Sequence, residues 1–279
     1  MFQILANRQL SDSVFEMTVA APAIARKAAA GQFFILRVDE RGERVPFTFS
    51  DWSADEGWIR FIFMRVGATT HKLIHLGAGD ALADVVGPLG VPSHAGGLGR
   101  VAVVGGGVGA AVAFPVARAM CAAGDKVTVI LGARNADLLV LEDAFRALPL
   151  ERLVVMTDDG SAGEMGLVTH PLKAMCESGE VDHVMAIGPA IMMKFCAATT
   201  KEFDVPTVVS LNPIMVDGTG MCGACRVSVG GVTKFGCVDG PDFDGHLVDF
   251  EELMSRQRIY VDDERDADAE YSKGCSCHL

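Results

Sequence analysis

The sequence predicts an antiparallel β-barrel joined by a glycine-rich linker to a parallel-sheet α/β unit, with a small cysteine-bearing region after them. Three observations carry this prediction. Short β-rich runs separated by turns fill roughly the first ninety residues. From Val101 the pattern changes to strand, glycine turn, helix and strand, and a glycine-rich loop near the C-terminal end gathers three cysteines. A chain of 279 residues, 50% hydrophobic and 22% charged, is long enough for two compact cores and is neither disordered nor fibrous.

The barrel is expected over residues 1–95, from the runs FQILANRQL, VFEMTVAAP, QFFILRVD, WIRFIFMRV and DALADVVG. HAGGLGR at 94–100 is the linker. The α/β unit is expected over 96–206, where VAVVGGGVG, KVTVILGA, RLVVMTDDG and HVMAIGP read as buried strands. The runs between them read as covering helices. A region over 207–255 carries the cysteine loop and a short helix at EELMSRQRI, and 256–279 is expected to be an acidic tail, partly mobile or held by a partner.

Val101 to Ala117 carries no charge, but four glycines and Pro115 within it argue for a soluble βα turn rather than a membrane span. The turn GGGVGAA at 105–111 follows an apolar strand and opens a helix, where a pyrophosphate meets free backbone amides and the positive end of the helix dipole. A glycine motif alone is weak, and a tight structural turn would look the same. TDDGSAG at 157–163 and IGP at 187–189 also follow apolar strands, so three loops point to one crevice at the carboxyl edge of the sheet.

The stretch DGTGMCGACRVSVGGVTKFGC places Asp217, Cys222, Cys225 and Cys237 with four residues between the first two and two between the next pair. That is the plant-type [2Fe–2S] spacing with a carboxylate in the first position. Gly218, Gly220 and Gly223 suit a loop that wraps a cluster with its amides turned inward. A tetrahedral zinc site is the alternative. Cys121, Cys176 and Cys196 lie in apolar helical surroundings and read as packed thiols, and Cys275, Cys277 and His278 are too few to complete a metal site.

With a net charge of −12 and no Lys/Arg cluster, nucleic acid and anionic membrane surfaces are poor partners. MFQILANRQLSDS lacks the pattern of a secretory signal, so a cytoplasmic location with reduced thiols is expected. The seven histidines form no catalytic or metal-like pair, and no acid–base or nucleophilic residue is assigned.

Across roughly residues 1–255, the chain resembles electron-transfer subunits of the ferredoxin-reductase superfamily. These are the small subunits of NADH-dependent reduced ferredoxin:NADP+ oxidoreductase, of sulfide dehydrogenase and of dihydroorotate dehydrogenase. The motifs are RVPFTF at 44–49, VGATTHKL at 66–73, VGPLGVP at 86–92, VVGGGVGAA at 103–111, GARNADLLVLED at 132–143, TDDGSAGEMG at 157–166, IGPAIMM at 187–193 and SLNPIMVDGTGMCGACRV at 210–227. Asp217 in place of a fourth cysteine resembles the ferredoxin:NADP+ and sulfide dehydrogenase branch.

The resemblance implies an FAD-binding barrel, a ferredoxin-reductase-type nucleotide-binding domain and a C-terminal [2Fe–2S] region. Pro46, Phe47, Thr48 and Phe49 are expected at the isoalloxazine, and Val66, Gly67, Thr69 and Thr70 at the ribityl and pyrophosphate. Arg44 is the expected phosphate ligand and Arg65 its substitute. NAD(H) is expected on Gly105, Gly106, Gly107, Val108, Gly109 and Ala110, with Gly132, Arg134, Gly188, Pro189 and Met192 around it. Asp158 and Asp159 would repel a 2′-phosphate and so favour NADH, whereas Arg134 could attract one. The implied function moves hydride from NADH to FAD and single electrons through the cluster to a larger partner subunit bearing flavin and iron–sulfur centres, with ferredoxin reached indirectly. Electron bifurcation would occur in that complex. A sulfide dehydrogenase or dihydroorotate dehydrogenase-type complex, or a stand-alone NADH-acceptor reductase, is the alternative.

Overall fold

The strand Val14–Ala20 shows how the sequence builds the first region. Phe15, Met17 and Val19 point into one core while Val14, on the opposite face, packs with a second, so VFEMTVA is buried along nearly its whole length. The computed structural model describes residues 1–275. Its strands are β1 (Phe2–Gln9), β2 (Val14–Ala20), β3 (Phe33–Arg37), β4 (Val45–Thr48), β5 (Asp51–Ser53), β6 (Trp58–Met64), β7 (Ala81–Leu82) and β8 (Asp84–Leu89), with helices α1 (Pro22–Ala25) and α2 (Ala68–Ile74). They form an antiparallel sheet in the order β5-β6-β2-β1-β7 and a second in the order β4-β3-β8. Between the sheets lies a cluster of phenylalanines: Phe34 sits 5.0 Å from Phe49 and 5.2 Å from Phe61, and Phe47 sits 5.0 Å from Phe61. Tilted and edge-on pairs of this kind each add about 1 kcal/mol beyond their area burial.

The α/β unit follows as β9 (Arg100–Gly106), α3 (Gly109–Ala122), β10 (Lys126–Ala133), α4 (Glu142–Arg146), β11 (Arg152–Thr157), β12 (Glu164–Met165), α5 (Thr169–Glu177), β13 (His183–Ile187), α6 (Ala190–Lys201) and β14 (Thr207–Ser210). The sheet order is β12-β11-β10-β9-β13-β14, all parallel, with antiparallel β17 (Asp242–Asp244) on its far edge. Chain direction across the sheet reverses between β9 and β13, and this switch point is where open α/β sheets bind ligands. The linker is held in place: the Gly96 and Leu98 amides donate to Asp125 at 2.7 and 2.8 Å. Arg118 of α3 clasps the barrel by donating to Asp51 at 2.8 Å, with its guanidinium 5.6 Å from the Trp52 ring.

The cysteine region contains a hairpin of β15 (Arg226–Val229) and β16 (Val232–Phe235), then α7 (Phe250–Gln257). Its two-residue turn is Gly230-Gly231, both at positive φ, which a tight hairpin of this twist requires. The acidic run expected as a solvated tail is helical, α8 (Val261–Cys275), and it docks on α2. His71 Nδ1 meets Asp268 Oδ1 at 2.9 Å, and its ring lies 6.4 Å from that of Tyr271. Acidic residues in the first turn, Asp262, Asp263 and Glu264, complement the helix dipole, so the charge that suggested solvation also supports a helix start. The Cys275 side chain, Cys277 and His278 lie outside the described side chains, so the expectation for them does too.

Candidate nucleotide crevice and cysteine loop

Gly109 sits where two loops nearly touch. A Cβ there would lie 2.5 Å from the Ile187 carbonyl oxygen and 2.8 Å from Gly188 Cα, so only glycine lets α3 start this close to the β13–α6 turn. Gly106 is enclosed by Met192 and Pro189, and Gly188 by Met192 and Gly106. The Gly107 amide donates to the Gly132 carbonyl at 2.8 Å, and Ala110 caps the turn with its amide on Gly107. The structure thus gathers Gly105 to Ala110, Val108 among them, with Gly132, Gly188, Pro189 and Met192 at the β9/β13 switch point.

The TDDGSAG loop lies beside this crevice, with the Asp158 amide on the Ala133 carbonyl at 3.0 Å and the Asp159 amide on Arg134 at 3.3 Å. The two acids differ. Asp159 Oδ1 accepts from the Ser161 amide at 2.9 Å and its hydroxyl at 2.6 Å, and these bonds hold its carboxyl below the usual range. It serves as a turn former. Asp158 and Arg134 are exposed and have no side-chain partner among the described residues, leaving both available to a ribose.

In the barrel, the register of β4 separates the four expected flavin residues, and it corrects the expectation for one of them. Phe49 is 1% exposed and belongs to the core, whereas Phe47, paired with Phe34, packs on the phenylalanine cluster while staying partly exposed. Pro46 and Thr48 pair with Ile35 and Phe33 and share their outward face. Strand alternation sets Phe47 on the face of Phe34 and sets Pro46 and Thr48 on the opposite face, all three half-buried.

Arg44 reaches the cysteine loop: its Nε donates to the Val216 carbonyl at 3.0 Å and Nη2 to the Asp217 carbonyl at 3.4 Å. Arg65 is exposed and its guanidinium has no partner among the described residues, directly before the Val66–Gly67 turn into α2. Thr70 Oγ1 accepts from the Val66 and Gly67 amides at 2.9 and 3.1 Å, and Thr69 donates to Glu43 at 2.9 Å. Thr70 therefore shapes the turn, beside which the exposed Arg65 guanidinium stands.

The cysteine loop rests on the outward face of β3. Phe33, Ile35, Met215, Cys225 and Cys237 form one buried cluster with Leu89 and Phe235 at its margin. Gly218, at φ 82°, wedges against Ile35 and Leu89, where a Cβ would come within 2.6 Å of Ile35 Cδ1. Because Ile35 and Phe33 lie directly across from Pro46 and Thr48, the proposed flavin face and the cysteine loop occupy one continuous surface. Glu43, Phe33, Ile35 and Leu89 were not singled out from the sequence. The signal for β3 was its unbroken FFIL run, which marks a strand buried on both faces.

Hairpin register sets the two buried thiols side by side: Arg226 pairs with Phe235, and Cys225 and Cys237 flank that pair with their sulfurs 3.2 Å apart. Burial, with Cys225 adding to it, pushes the Cys237 thiol up to about 12. A cation reverses this balance because a coordinated thiol is deprotonated outright. Cys222 is exposed beside Met221, and Asp217 Oδ2 accepts from the Thr219 amide at 3.0 Å, the Thr219 hydroxyl and the Met221 amide at 3.3 Å. These bonds, those of Thr219 above all, hold the Asp217 carboxyl below its ordinary range. Among the described residues no three His, Cys, Asp or Glu side chains are gathered tightly enough to hold an ion. Two adjacent buried thiols, a third at the loop tip and an Asp217 Oδ1 that accepts no hydrogen bond among the described residues still make a donor set that fits an iron–sulfur cluster, provided Cys222 turns inward.

An antiparallel flavin-reductase-type barrel, a nucleotide crevice at the switch point of a parallel sheet and a cysteine loop between them define an oxidoreductase of the ferredoxin-reductase fold. The model of the oxidoreductase NAD-binding domain matches residues 103–198, and that of the iron–sulfur cluster binding domain of dihydroorotate dehydrogenase B matches residues 212–249. A Thermotoga maritima protein described as a dihydroorotate dehydrogenase B (NAD(+)) electron transfer subunit homolog is 46% identical over 263 residues, 94% of this chain and 93% of its own. A Methanocaldococcus jannaschii protein described as a probable subunit of the same kind is 35% identical, covering 79% of this chain and 80% of its own. A solved chain from work on flavin-based electron bifurcation in NADH-dependent reduced ferredoxin-NADP oxidoreductase is 44% identical. It superimposes with a TM-score of 0.91 over 97% of this chain and 98% of its own. The chain belongs to the family of dihydroorotate dehydrogenase B electron transfer subunits and their homologues. No helix among the described residues is long and apolar enough to cross a membrane.

Proposed function

We propose that this chain is the electron-transfer subunit of a cytoplasmic, electron-bifurcating NADH-dependent reduced ferredoxin:NADP+ oxidoreductase, working against a larger partner subunit that carries further flavin and iron–sulfur centres. The observation that carries this reading is the single surface shared by Pro46, Thr48 and the cysteine loop, on which a flavin and a cluster would lie side by side. When bound, FAD supplies two-electron exchange with NADH and a [2Fe–2S] cluster supplies one-electron exchange with the partner. The chain at 44% identity comes from such an oxidoreductase and supports the choice of complex.

The chain's own residues bind, orient and exclude. Gly105 to Gly109 let the backbone approach a pyrophosphate at the start of α3, and Met192 closes the crevice behind it. Asp158 accepts hydrogen bonds from free ribose hydroxyls and repels a 2′-phosphate, selecting NADH. Thr48 offers its hydroxyl to the flavin ring, and Arg65 binds the flavin pyrophosphate in place of Arg44. Cys222, Cys225, Cys237 and Asp217 hold the cluster, while Ile35 and Leu89 keep water from its barrel side.

A dihydroorotate dehydrogenase-type complex is the second reading, favoured by the descriptions of the relatives at 46% and 35% identity. Anaerobic co-purification with iron, sulfide, flavin and subunit analysis separates the two. A partner holding iron–sulfur centres of its own supports the first, and a partner oxidising dihydroorotate supports the second.

A further inference from the structure

Arg44 is the last residue before β4, yet its guanidinium reaches 172 residues along the chain to the carbonyls of Val216 and Asp217. It pairs with no carboxylate among the described residues, so its charge is not neutralised by a direct salt bridge. Gly218, wedged on Ile35 and Leu89, anchors the same end of the loop by packing. A polar clamp and an apolar wedge on consecutive residues fix the Asp217 end of the loop to the barrel, whereas the Cys222 tip is exposed.

We propose that Arg44 is a positioning residue for the cysteine loop, seating its Asp217 end on the barrel and holding a positive charge beside the site so that the cluster bound there is easier to reduce. The inference rests on the iron–sulfur reading above. Reduction adds one electron and hence one negative charge to the cluster, and a fixed guanidinium stabilises that state over the oxidised one. The same hydrogen bonds draw electron density from two carbonyls whose oxygens would otherwise oppose the added charge.

The test is an EPR-monitored redox titration, with dithionite as electron donor, of anaerobically purified wild-type, Arg44→Gln and Arg44→Lys proteins. Iron, acid-labile sulfide and FAD are measured per chain. The expected result is full FAD and iron in both variants, a lower cluster midpoint in Arg44→Gln and a smaller shift in Arg44→Lys, which keeps the charge but loses the fork. If Arg44→Gln does not retain the cluster, the Arg44→Lys shift decides. Unchanged midpoints overturn the inference. So does loss of FAD with an unchanged midpoint, which would return Arg44 to the flavin phosphate. Wild-type protein without acid-labile sulfide overturns the functional reading, and the inference with it.

Discussion

Ser93 donates its hydroxyl hydrogen to Asp242 Oδ2 at 2.5 Å across 149 residues of sequence, and this bond ties the end of the barrel to the edge strand of the α/β sheet. Asp242 Oδ1 is buried and has no hydrogen-bond partner among the described residues. Burial pushes the Asp242 carboxyl up to about 6, against the downward pull of the Ser93 and Ser210 hydroxyls. A joint between the barrel and the nucleotide unit therefore contains a carboxylate that is costly to ionise.

The sign of its pH dependence follows. The folded state holds the Asp242 proton more tightly than the unfolded chain, so its stabilising contribution is full below the unfolded value of 3.8 and is lost progressively as pH rises from there through about 6. The shift from 3.8 corresponds to about 3 kcal/mol at neutral pH. Asp242→Asn removes the charge and keeps a hydrogen-bond acceptor for Ser93. Its melting temperature should exceed wild type at about pH 8, and the gap should narrow below about pH 6 and close only as the pH falls to 3.8 or lower. A gap that widens on acidification contradicts this assignment.

Gly109→Ala should disrupt the crevice, because its Cβ would overlap the Ile187 carbonyl and Gly188 backbone rather than a flexible side chain. Overpacking of this kind costs about 1–3 kcal/mol. We expect a lower melting temperature together with weakened NADH binding in a fluorescence titration. Gly77→Ala, at a glycine with no neighbour within 4 Å of the added carbon and no left-handed φ, should leave both the melting temperature and NADH binding near wild type.

Nucleotide choice should rest on Asp158. Asp158→Asn should narrow the preference for NADH over NADPH by roughly 5- to 10-fold in stopped-flow flavin reduction, since the site is exposed and screened. Asp159→Asn should act chiefly through the Ser161 turn and move both nucleotides together. Faster wild-type reduction by NADPH than by NADH would remove the basis for this assignment.

Asp217→Cys should keep a [2Fe–2S] cluster and lower its midpoint, because a thiolate stabilises ferric iron more than a carboxylate does. Asp217→Ala should make the cluster labile. Full iron with an unchanged midpoint in Asp217→Ala would reduce Asp217 to the loop-capping role that its bonds to Thr219 and Met221 already give it.

Much of this architecture is legible in the chain because local signals agree with the global ones. The glycines of 105–109 follow an apolar strand, the Gly230-Gly231 turn sits between two β-rich runs, and the cysteine spacing is a local pattern. What escaped depends on long-range pairing. Whether Phe47 or Thr48 faces the core is decided by the register of β4 on β3, and a shift of one residue would reverse the answer. Arg44 and Asp242 act on residues well over one hundred positions away, and no local pattern marks such partners. The helical state of DDERDADAE was obscured because charge favours solvation and a helix start alike until α2 offers His71 as a partner.

The central claim is that one chain gathers NADH, flavin and an iron–sulfur cluster into a single electron path. EPR spectroscopy of the anaerobically purified protein, frozen after NADH addition while its flavin absorbance is followed, tests it most directly. The account predicts loss of flavin absorbance together with the paramagnetic signal of a one-electron-reduced [2Fe–2S] cluster, and loss of that signal when Cys225 is replaced by Ser. A colourless protein containing zinc in place of iron, silent to NADH, would contradict it.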